Sequence, residues 1–308
     1  MTDERRVLLL AHPGRAPARD VARELVDALS GHGIRVRLPA DEAAALGLAD
    51  NRHIELAGDG DPSADCELVV VIGGDGTILR AAEVAHESGT PLLGVNLGHV
   101  GFLAEAEYDD VSATIDAIVE RRYTAEDRLT IDVSVFRDGE PVWRTFALNE
   151  ASVEKAARER MLEVVVGVDG RPLSRWGCDG VVCATPTGST AYNFSAGGPV
   201  VWPGVEALLM VPISAHALFA RPLVVAPTSV LAVEVIAPAE GGVLWCDGRR
   251  TVEVSTGARI EVRRGERPVR LVRLHKAPFT DRLVAKFGLS VEGWRGAGER
   301  RRRGEGSA

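Results

Sequence analysis

Residues Leu68–Thr77 read Leu-Val-Val-Val-Ile-Gly-Gly-Asp-Gly-Thr, a carboxylate set among glycines at the end of an unbroken apolar run. Such a run predicts a strand buried on both faces, as in a parallel sheet. Gly73, Gly74 and Gly76 carry no Cβ, so a ligand can approach the backbone and its amides can point at anionic oxygens. Thr77 is the expected N-cap of a helix over 78–88, whose N-terminus would aim at the same spot. A carboxylate among anion-binding amides, at the carboxyl end of a strand, is where phosphoryl transfer would keep a base. The competing reading is a plain turn, because Asp-Gly recurs at Asp59, Asp138, Asp169, Asp179 and Asp247. The buried strand and the doubled glycine favour a phosphate or nucleotide site at Asp75. Neither G-x-x-x-x-G-K-[ST] nor a strand-borne G-x-G-x-x-G occurs, which makes P-loop enzymes and ordinary Rossmann dehydrogenases poor candidates.

A second dense region runs from Ala184 to Pro199. Thr185, Thr187, Ser189 and Thr190 place four hydroxyls around Gly188, and Tyr192 adds an aromatic face. A loop of short donors and close backbone suits a ribose phosphate and a stacked base; the alternative is a Ser/Thr surface loop, against which stands the apolar stretch Val181–Ala184 that feeds it. Asn149-Glu150 follows the apolar Phe146–Leu148, and an amide beside a carboxylate can read an adenine edge and a sugar hydroxyl, or simply cap a loop. Asp179 is open to the same two readings, turn residue or polar contact. His12, His99, His216 and His275 form no triad or metal pattern.

These sites need elements to position them. Val7–Ala11 predicts a first strand, Arg19–Ser30 a helix with Val21, Leu25, Ala28 and Leu29 on one face, and Ile34–Leu38 a short strand. Residues 39–65 read as a connection. Strand Leu68–Ile72, the helix after it, strand Leu92–Val95 and a helix bearing Val111, Ile115, Ile118 and Val119 continue the alternation of an open α/β layer. From Leu129 the period becomes two, with hairpin signals at Asp138-Gly139 and Asp169-Gly170. One short helix is expected around Glu206–Met210. Phe279–Phe287 returns to helical spacing, with Thr280 as cap, Phe279, Leu283, Val284 and Phe287 on one face and Gly288 as the stop. The expected organisation is therefore a Rossmann-like α/β domain over 1–127 and 277–295, a mainly β, sandwich-like domain over 128–276, and a disordered Gly/Arg/Glu-rich tail over 296–308.

The chain of 308 residues, 45% hydrophobic, is long enough for two domains with substantial cores. Its net charge of −8 argues against nucleic acid as a partner and confines any phosphate site to local features. Cys66, Cys178, Cys183 and Cys246 are scattered without metal spacing and read as reduced thiols. No apolar stretch reaches the length of a membrane span or signal peptide, so a soluble, cytoplasmic protein is expected.

With these motifs in view, the chain resembles the bacterial NAD kinases. The resemblance is carried by Gly73–Thr77, by Asn96-Leu-Gly-His-Val-Gly-Phe-Leu-Ala-Glu105, by Asn149-Glu150 and by Thr185-Pro-Thr-Gly-Ser-Thr-Ala-Tyr192. Asp247-Gly-Arg249 and Phe279-Thr-Asp-Arg-Leu283 extend it to about residue 295. The glycine-aspartate loop is shared with lipid kinases and phosphofructokinases; joined to Asn-Glu and the hydroxyl loop it is specific. The resemblance implies an N-terminal α/β domain, a β domain, and a C-terminal segment crossing back. It implies transfer of a phosphoryl group from ATP to the 2′-hydroxyl of the adenosine ribose of NAD, with a divalent metal, usually Mg²⁺, in a homodimer or homotetramer. Carried onto this chain, Asp75 would take the hydroxyl proton. Gly73, Gly74, Gly76 and Thr77 would face phosphates, and Gly76 and Arg80 would lie alongside NAD. Phe102 would be an apolar neighbour of a base, Asn149 and Glu150 would hold the adenosine, and Asp179 would contact the nicotinamide end. Thr190, Ala191, Tyr192, Asn193, Phe194 and Ser195 would line the pocket, and Arg160 would be a further binding residue. His99, Gly177 and Arg249 depart from residues common in the family, which bears on NAD contact and on discrimination against NADH. Two rivals stand beside this reading: a lipid kinase, which would need a membrane-docking surface that the sequence does not display, and a non-catalytic nicotinamide-nucleotide sensor, which would have no need of Asp75.

Overall fold

The computed structural model describes residues 4–12, 16–97, 101–107, 110–158, 160–237, 241–275 and 278–291. The first part of the chain alternates strands and helices: β1 (Arg6–Ala11), α1 (Ala16–Gly31), β2 (Arg35–Leu38), α2 (Ala40–Leu46), β3 (Ile54–Leu56), β4 (Leu68–Ile72), α3 (Asp75–Ala85), β5 (Leu92–Asn96), β6 (Ala106–Glu107), α4 (Val111–Val119) and β7 (Thr124–Arg128). A run of strands follows: β8 (Ile131–Arg137), β9 (Glu140–Ala147), β10 (Glu150–Lys155), β11 (Leu162–Val168), β12 (Arg171–Cys178) and β13 (Gly180–Ala184). After the single turn α5 (Tyr192–Ser195) come β14 (Leu208–Ile213), β15 (Leu223–Val225), β16 (Leu231–Ala237), β17 (Gly242–Cys246), β18 (Arg250–Val254) and β19 (Arg259–Arg264). Finally β20 (Val269–Arg273) and α6 (Phe279–Phe287) lead back towards the first part.

The first sheet has the order β3-β2-β1-β4-β5-β20-β7, with β6 also on β5. Its pairs are parallel except β20 with β7. The composition of β4 follows from its place in the middle. Leu68, Val70 and Ile72 point into a core shared with Val21 and Leu25 of α1 and Ile115 and Ile118 of α4. Val69 and Val71 point the other way, onto Ile78, Ala81 and Ala82 of α3. With both faces covered, every position of the strand must be apolar. Strand order reverses between β1 and β4, so their carboxyl ends flank the crevice where open α/β sheets bind ligands, and the glycine loop opens there.

The remaining strands form two antiparallel sheets, β15-β14-β13-β10-β17-β18 and β12-β11-β16-β19-β8-β9. Their inner faces share one core, with Trp176 fully buried beside Val133, Val164, Val181 and Leu244. Asp138-Gly139 and Asp169-Gly170 are two-residue turns with both residues at positive φ, the twist that suits a tight hairpin. The molecule is thus an N-terminal α/β domain with a mixed sheet, followed by a mainly β domain, with a C-terminal helix that crosses back.

Several local expectations need correction. Residues 39–65 hold a helix and a strand, α2 and β3, rather than a bare connection. The segment expected as a helix at Glu206–Met210 enters strand β14, whose Leu208–Val211 are all buried; a short apolar run has no period to separate the two. Thr124–Arg128 is a strand, and β20, expected within the β domain, pairs in the first sheet. Helix α3 starts at Asp75 with Gly74 as N-cap, not at Ile78 after Thr77, and Pro278 rather than Thr280 caps α6. Gly288 ends α6 in the left-handed conformation, as expected. His99 and the tail 296–308 lie outside the described residues.

Candidate active site

Asp75 sits in the first turn of α3, half-buried, directly after the glycine loop. Its Oδ2 accepts the N–H of Phe102 at 3.1 Å and its Oδ1 that of Leu103 at 3.1 Å. A Cβ on Gly101 would collide with Oδ1, and one on Gly73 would collide with the Thr77 side chain, so both glycines are required by close approach. The loop therefore holds the carboxylate in one place while α3 directs its N-terminal amides into the crevice. One turn on, Arg80 pairs with Glu42 at 2.8 Å and donates to Ala11 O at 3.2 Å. Glu42, buried, also accepts the Ala11 N–H at 2.7 Å, so β1, α2 and α3 are joined at the point where strand order reverses. Burial pushes the Glu42 carboxyl up, with the Ala11 amide and Arg80 opposing it.

The second group is built around Asp247, whose side chain is 1% exposed. It accepts the N–H groups of Leu148 (2.9 Å), Asn149 (2.7 Å) and Glu150 (3.3 Å) and pairs with Arg250 at 2.9 Å. The hydroxyl loop closes over the same segment. Thr185 donates through its hydroxyl to Leu148 O at 2.6 Å and through its N–H to Asn149 O at 2.9 Å. Gly188 lies against the Asn149 carbonyl so closely that any Cβ would strike it. Glu150 is left buried with Oε2 unpartnered among the described residues, accepting the Tyr192 N–H. Burial, with Asp247 adding repulsion, pushes the Glu150 carboxyl up to about 8. Leu148 shares a core with Ile78, Leu103 and Ala104, so the Asn-Glu segment and the Asp75 loop rest on one support.

Beside Phe102 and the hydroxyl loop lies a cavity of about 480 Å³, whose lining includes neither Asp75 nor Asn149 and Glu150. Phe102, Thr187 and Thr190 line one side; Trp202 and Phe279 wall it; Arg128, Arg273 and Arg282 close it. Arg128 gives Glu126 a hydrogen bond at 2.8 Å while its buried Nε has no partner among the described residues. Burial, followed by Arg273, pulls its guanidinium down to about 10. Glu126 and Asp127 line the same cavity and Glu105 pairs with Arg273 and Arg282, so the three arginines are balanced in charge and offer the cavity directed N–H donors. These three residues were not singled out from sequence. An arginine such as Arg273 inside an apolar strand run, between Val272 and Leu274, is the signal that was there to be read.

The other expected site residues are placed as follows. Thr190 and Phe102 line the cavity. Phe194 stacks on Phe287 at 4.6 Å between ring centres, and Tyr192 is exposed at the same turn. Asn193 turns inward instead: fully buried, its amide donates to Ser189 O and Pro199 O at 3.3 Å, so it shapes the loop from inside. Thr185 and Ser189 are likewise buried and bonded within the protein, which leaves Thr187 and Thr190 as the hydroxyls facing the cavity. Asp179 is pinned by Lys155 at 2.5 Å, and that contact holds its carboxyl down. Arg160 is exposed on the connection between β10 and β11. Arg249 reaches Glu83 of α3 at 3.2 Å, a strut between the domains. Burial pushes Cys66 and Cys178 up to about 11 and Cys183 and Cys246 to about 12, so all four thiols stay protonated and unreactive at neutral pH.

A glycine-cradled carboxylate at a strand-order reversal, held by the Phe102–Leu103 segment that also lines the cavity, is an arrangement suited to phosphoryl transfer. Comparison with known proteins gives the family. The ATP-NAD kinase N-terminal domain matches residues 7–123 and the ATP-NAD kinase C-terminal domain residues 148–274. The chain is 61% identical over 302 residues to the NAD kinase of Thermobifida fusca, covering 96% of this chain and 93% of that one. It is 61% identical to NAD kinase 2 of Streptomyces coelicolor, covering 95% and 97%. Among solved structures it resembles yeast NADH kinase complexed with NADH (TM-score 0.85, 25% identity, 93% and 88% covered). It also resembles an NAD kinase from Archaeoglobus fulgidus in complex with ATP (TM-score 0.69, 26% identity, 91% and 98% covered). The chain belongs to the ATP-NAD kinase family.

Proposed function

We propose that this chain is an ATP-dependent NAD kinase that transfers the γ-phosphoryl group of ATP to the 2′-hydroxyl of the adenosine ribose of NAD, giving NADP. The observation that carries the reading is the Asp75 carboxylate, fixed by two loop amides beside the glycine-lined crevice. In this role Asp75 takes the 2′-hydroxyl proton while the hydroxyl oxygen attacks the γ-phosphorus and ADP leaves. Gly73, Gly74, Gly76 and Thr77 offer backbone amides to the phosphates. Asn149 and Glu150 hold the adenosine portion, Phe102 and Thr190 enclose its base, and Ala191, Tyr192, Phe194 and Ser195 line the approach. Asp179 contacts the nicotinamide end. Arg80 and Asn193 serve by holding the crevice and the loop in shape. Among the described residues no three His, Cys, Asp or Glu side chains gather as a metal cage. A Mg²⁺ ion bound with the phosphates would keep most of its waters and take one or two carboxylates; Asp75, at the glycine loop, would be the carboxylate to supply. We assign the phosphate loop to residues 1–127 with 277–295 and NAD binding to 128–276, with β20 lent to the first sheet. A soluble cytoplasmic homodimer or homotetramer is the expected form; among the described residues no helix is long and apolar enough to cross a membrane.

The test is direct. Protein incubated with ATP, Mg²⁺ and NAD should produce NADP, with ADP release that depends on NAD. Binding of NAD without ADP release would mark a sensor, and phosphorylation of a lipid acceptor without NADP would mark a lipid kinase; either result overturns the reading. Repeating the assay with inorganic polyphosphate and with NADH defines donor and acceptor range.

A further inference from the structure

We propose that Arg282, on the C-terminal helix, is a positioning residue for turnover, acting on Asp75 through a single peptide group. The inference rests on the reading of Asp75 as the base and extends it to a residue in a different part of the chain. Arg282 Nη1 donates to Phe102 O at 3.2 Å and to Ala104 O at 2.7 Å, and its Nη2 meets Glu105 Oε2 at 2.5 Å. The carbonyl of Phe102 and the N–H of Leu103 belong to the same peptide unit. At one end of that unit the guanidinium takes the oxygen; at the other the N–H donates to Asp75 Oδ1 at 3.1 Å. Because a peptide group is planar, fixing both ends fixes the direction in which the amide points. A cation on the carbonyl also polarises the unit and strengthens the hydrogen bond that its N–H gives.

The rest of α6 secures the same segment. Phe279 and Phe287 flank the Phe102 ring at 5.9 and 5.8 Å between centres. Glu105, only 2% exposed, is held in turn by Arg273 at 2.8 Å and by the N–H groups of Leu274 and His275 at 3.2 Å. Arg282 is itself 13% exposed, so its contacts are shielded from water and geometrically fixed. Gly101, packed against Asp75 Oδ1, leaves the loop no slack to approach more closely. The arrangement points to a clamp: ring on one side, guanidinium on the other, and the loop between them presenting amides to the carboxylate. Lysine cannot reproduce it, since it lacks the planar fork that reaches two carbonyls and a carboxylate together.

The experiment is a cycle of Arg282→Ala and Asp75→Asn in the full-length protein, read by kcat, by KM for NAD and by amide hydrogen exchange at Phe102 and Leu103. Arg282→Ala is expected to lower kcat by roughly 10- to 100-fold, the scale of a misplaced reacting group. The fall in kcat should exceed the rise in KM for NAD, which Arg282 also affects as a lining residue of the cavity. Exchange at both amides should quicken. In the Asp75→Asn background, Arg282→Ala should have little further effect on kcat, because residues acting as a unit are not additive. Wild-type kcat and unchanged exchange in Arg282→Ala, with Asp75→Asn inactive, would defeat the clamp alone. A kcat loss equally large in the Asp75→Asn background would overturn action through Asp75. Wild-type turnover by Asp75→Asn would instead remove the reading on which the proposal stands. If Arg282→Ala lowers Tm too far to assay, Arg282→Lys keeps a cation beside Glu105 and is expected to fold while still losing kcat; full turnover by Arg282→Lys would overturn the proposal.

Discussion

Two Asp-Gly pairs in this chain show how far environment separates identical dipeptides. Asp75-Gly76 opens a helix, keeps its carboxylate half-buried, and receives two amides from a loop that follows another strand. Asp247-Gly248 is a turn between β17 and β18 with both residues at positive φ, and its carboxylate is sealed by three amides and Arg250. The first is held yet reachable, which suits a group that must exchange a proton with a substrate. The second is inaccessible and serves as a scaffold for Asn149 and Glu150. The proposed base and the scaffold thus share a dipeptide and differ in what seals the carboxylate.

The comparison predicts unlike consequences for like substitutions. The largest is expected at Asp75. Asp75→Asn should reduce kcat by about 10²–10⁴-fold, the usual contribution of a positioned general base, while NAD still binds. Steady-state kinetics with an NAD titration check this, and a variant that kept more than about a tenth of kcat would make Asp75 a loop-shaping residue instead. Asp247→Ala should act on stability: Arg250 and three backbone amides lose their partner, at a cost of about 3–5 kcal/mol. Urea unfolding should show it as a lowered midpoint, and an unchanged midpoint would contradict the scaffold role.

A third difference concerns pH. Glu150 is raised from an ordinary value of 4.5 to about 8 in the folded protein. The folded state therefore binds more protons than the unfolded state between those values, so stability from this group is fully present below the unfolded value and lost as pH rises towards 8. The loss runs at up to about 1.4 kcal/mol per pH unit. Glu150→Gln should flatten that part of the curve, which melting temperatures across pH 5 to about 9 would reveal; an identical slope in both proteins would rule the account out. The smallest effect is expected at Lys155→Ala. Its pair with Asp179 is partly solvent-exposed and should contribute under about 1 kcal/mol, measurable in the same unfolding experiment.

How much of this was legible in the sequence follows the distance over which each feature is decided. Strand β4 was bounded to the residue, because a doubly buried run is a local pattern, and the Asp138-Gly139 and Asp169-Gly170 turns were legible for the same reason. The glycine loop, Asn149-Glu150 and Thr187 with Thr190 were visible from residue type alone. The partition of hydroxyls was not: Thr185 and Ser189 look like Thr187 and Thr190 until β13 and the following loop pack against Leu148 and Val201. Arg273 and Arg282 were missed for the same reason, since both meet Glu105 in a distant part of the chain; Arg128 pairs with its neighbour Glu126, and what hid it is the burial that the fold imposes. The start of α3 was misplaced because Thr77 is a good cap in isolation, whereas Gly74 takes that position once the loop wraps Asp75.

The return of β20 has a consequence for how the protein is made. Leu271 of β20 pairs with Leu92 of β5, while β6 covers only Val95 and Asn96 of the same edge. On a growing chain, the N-terminal layer thus emerges with part of a strand edge open. It stays open until the whole β domain has been synthesised and the last strand arrives. Pairings between such distant segments form slowly, and open strand edges invite association with other chains. The β domain, whose hairpins are local, should be folded first and should deliver β20 into place. Completion of the first sheet thereby waits for the synthesis of β20, and a chain cut before residue 269 would carry an adhesive edge in place of a finished sheet.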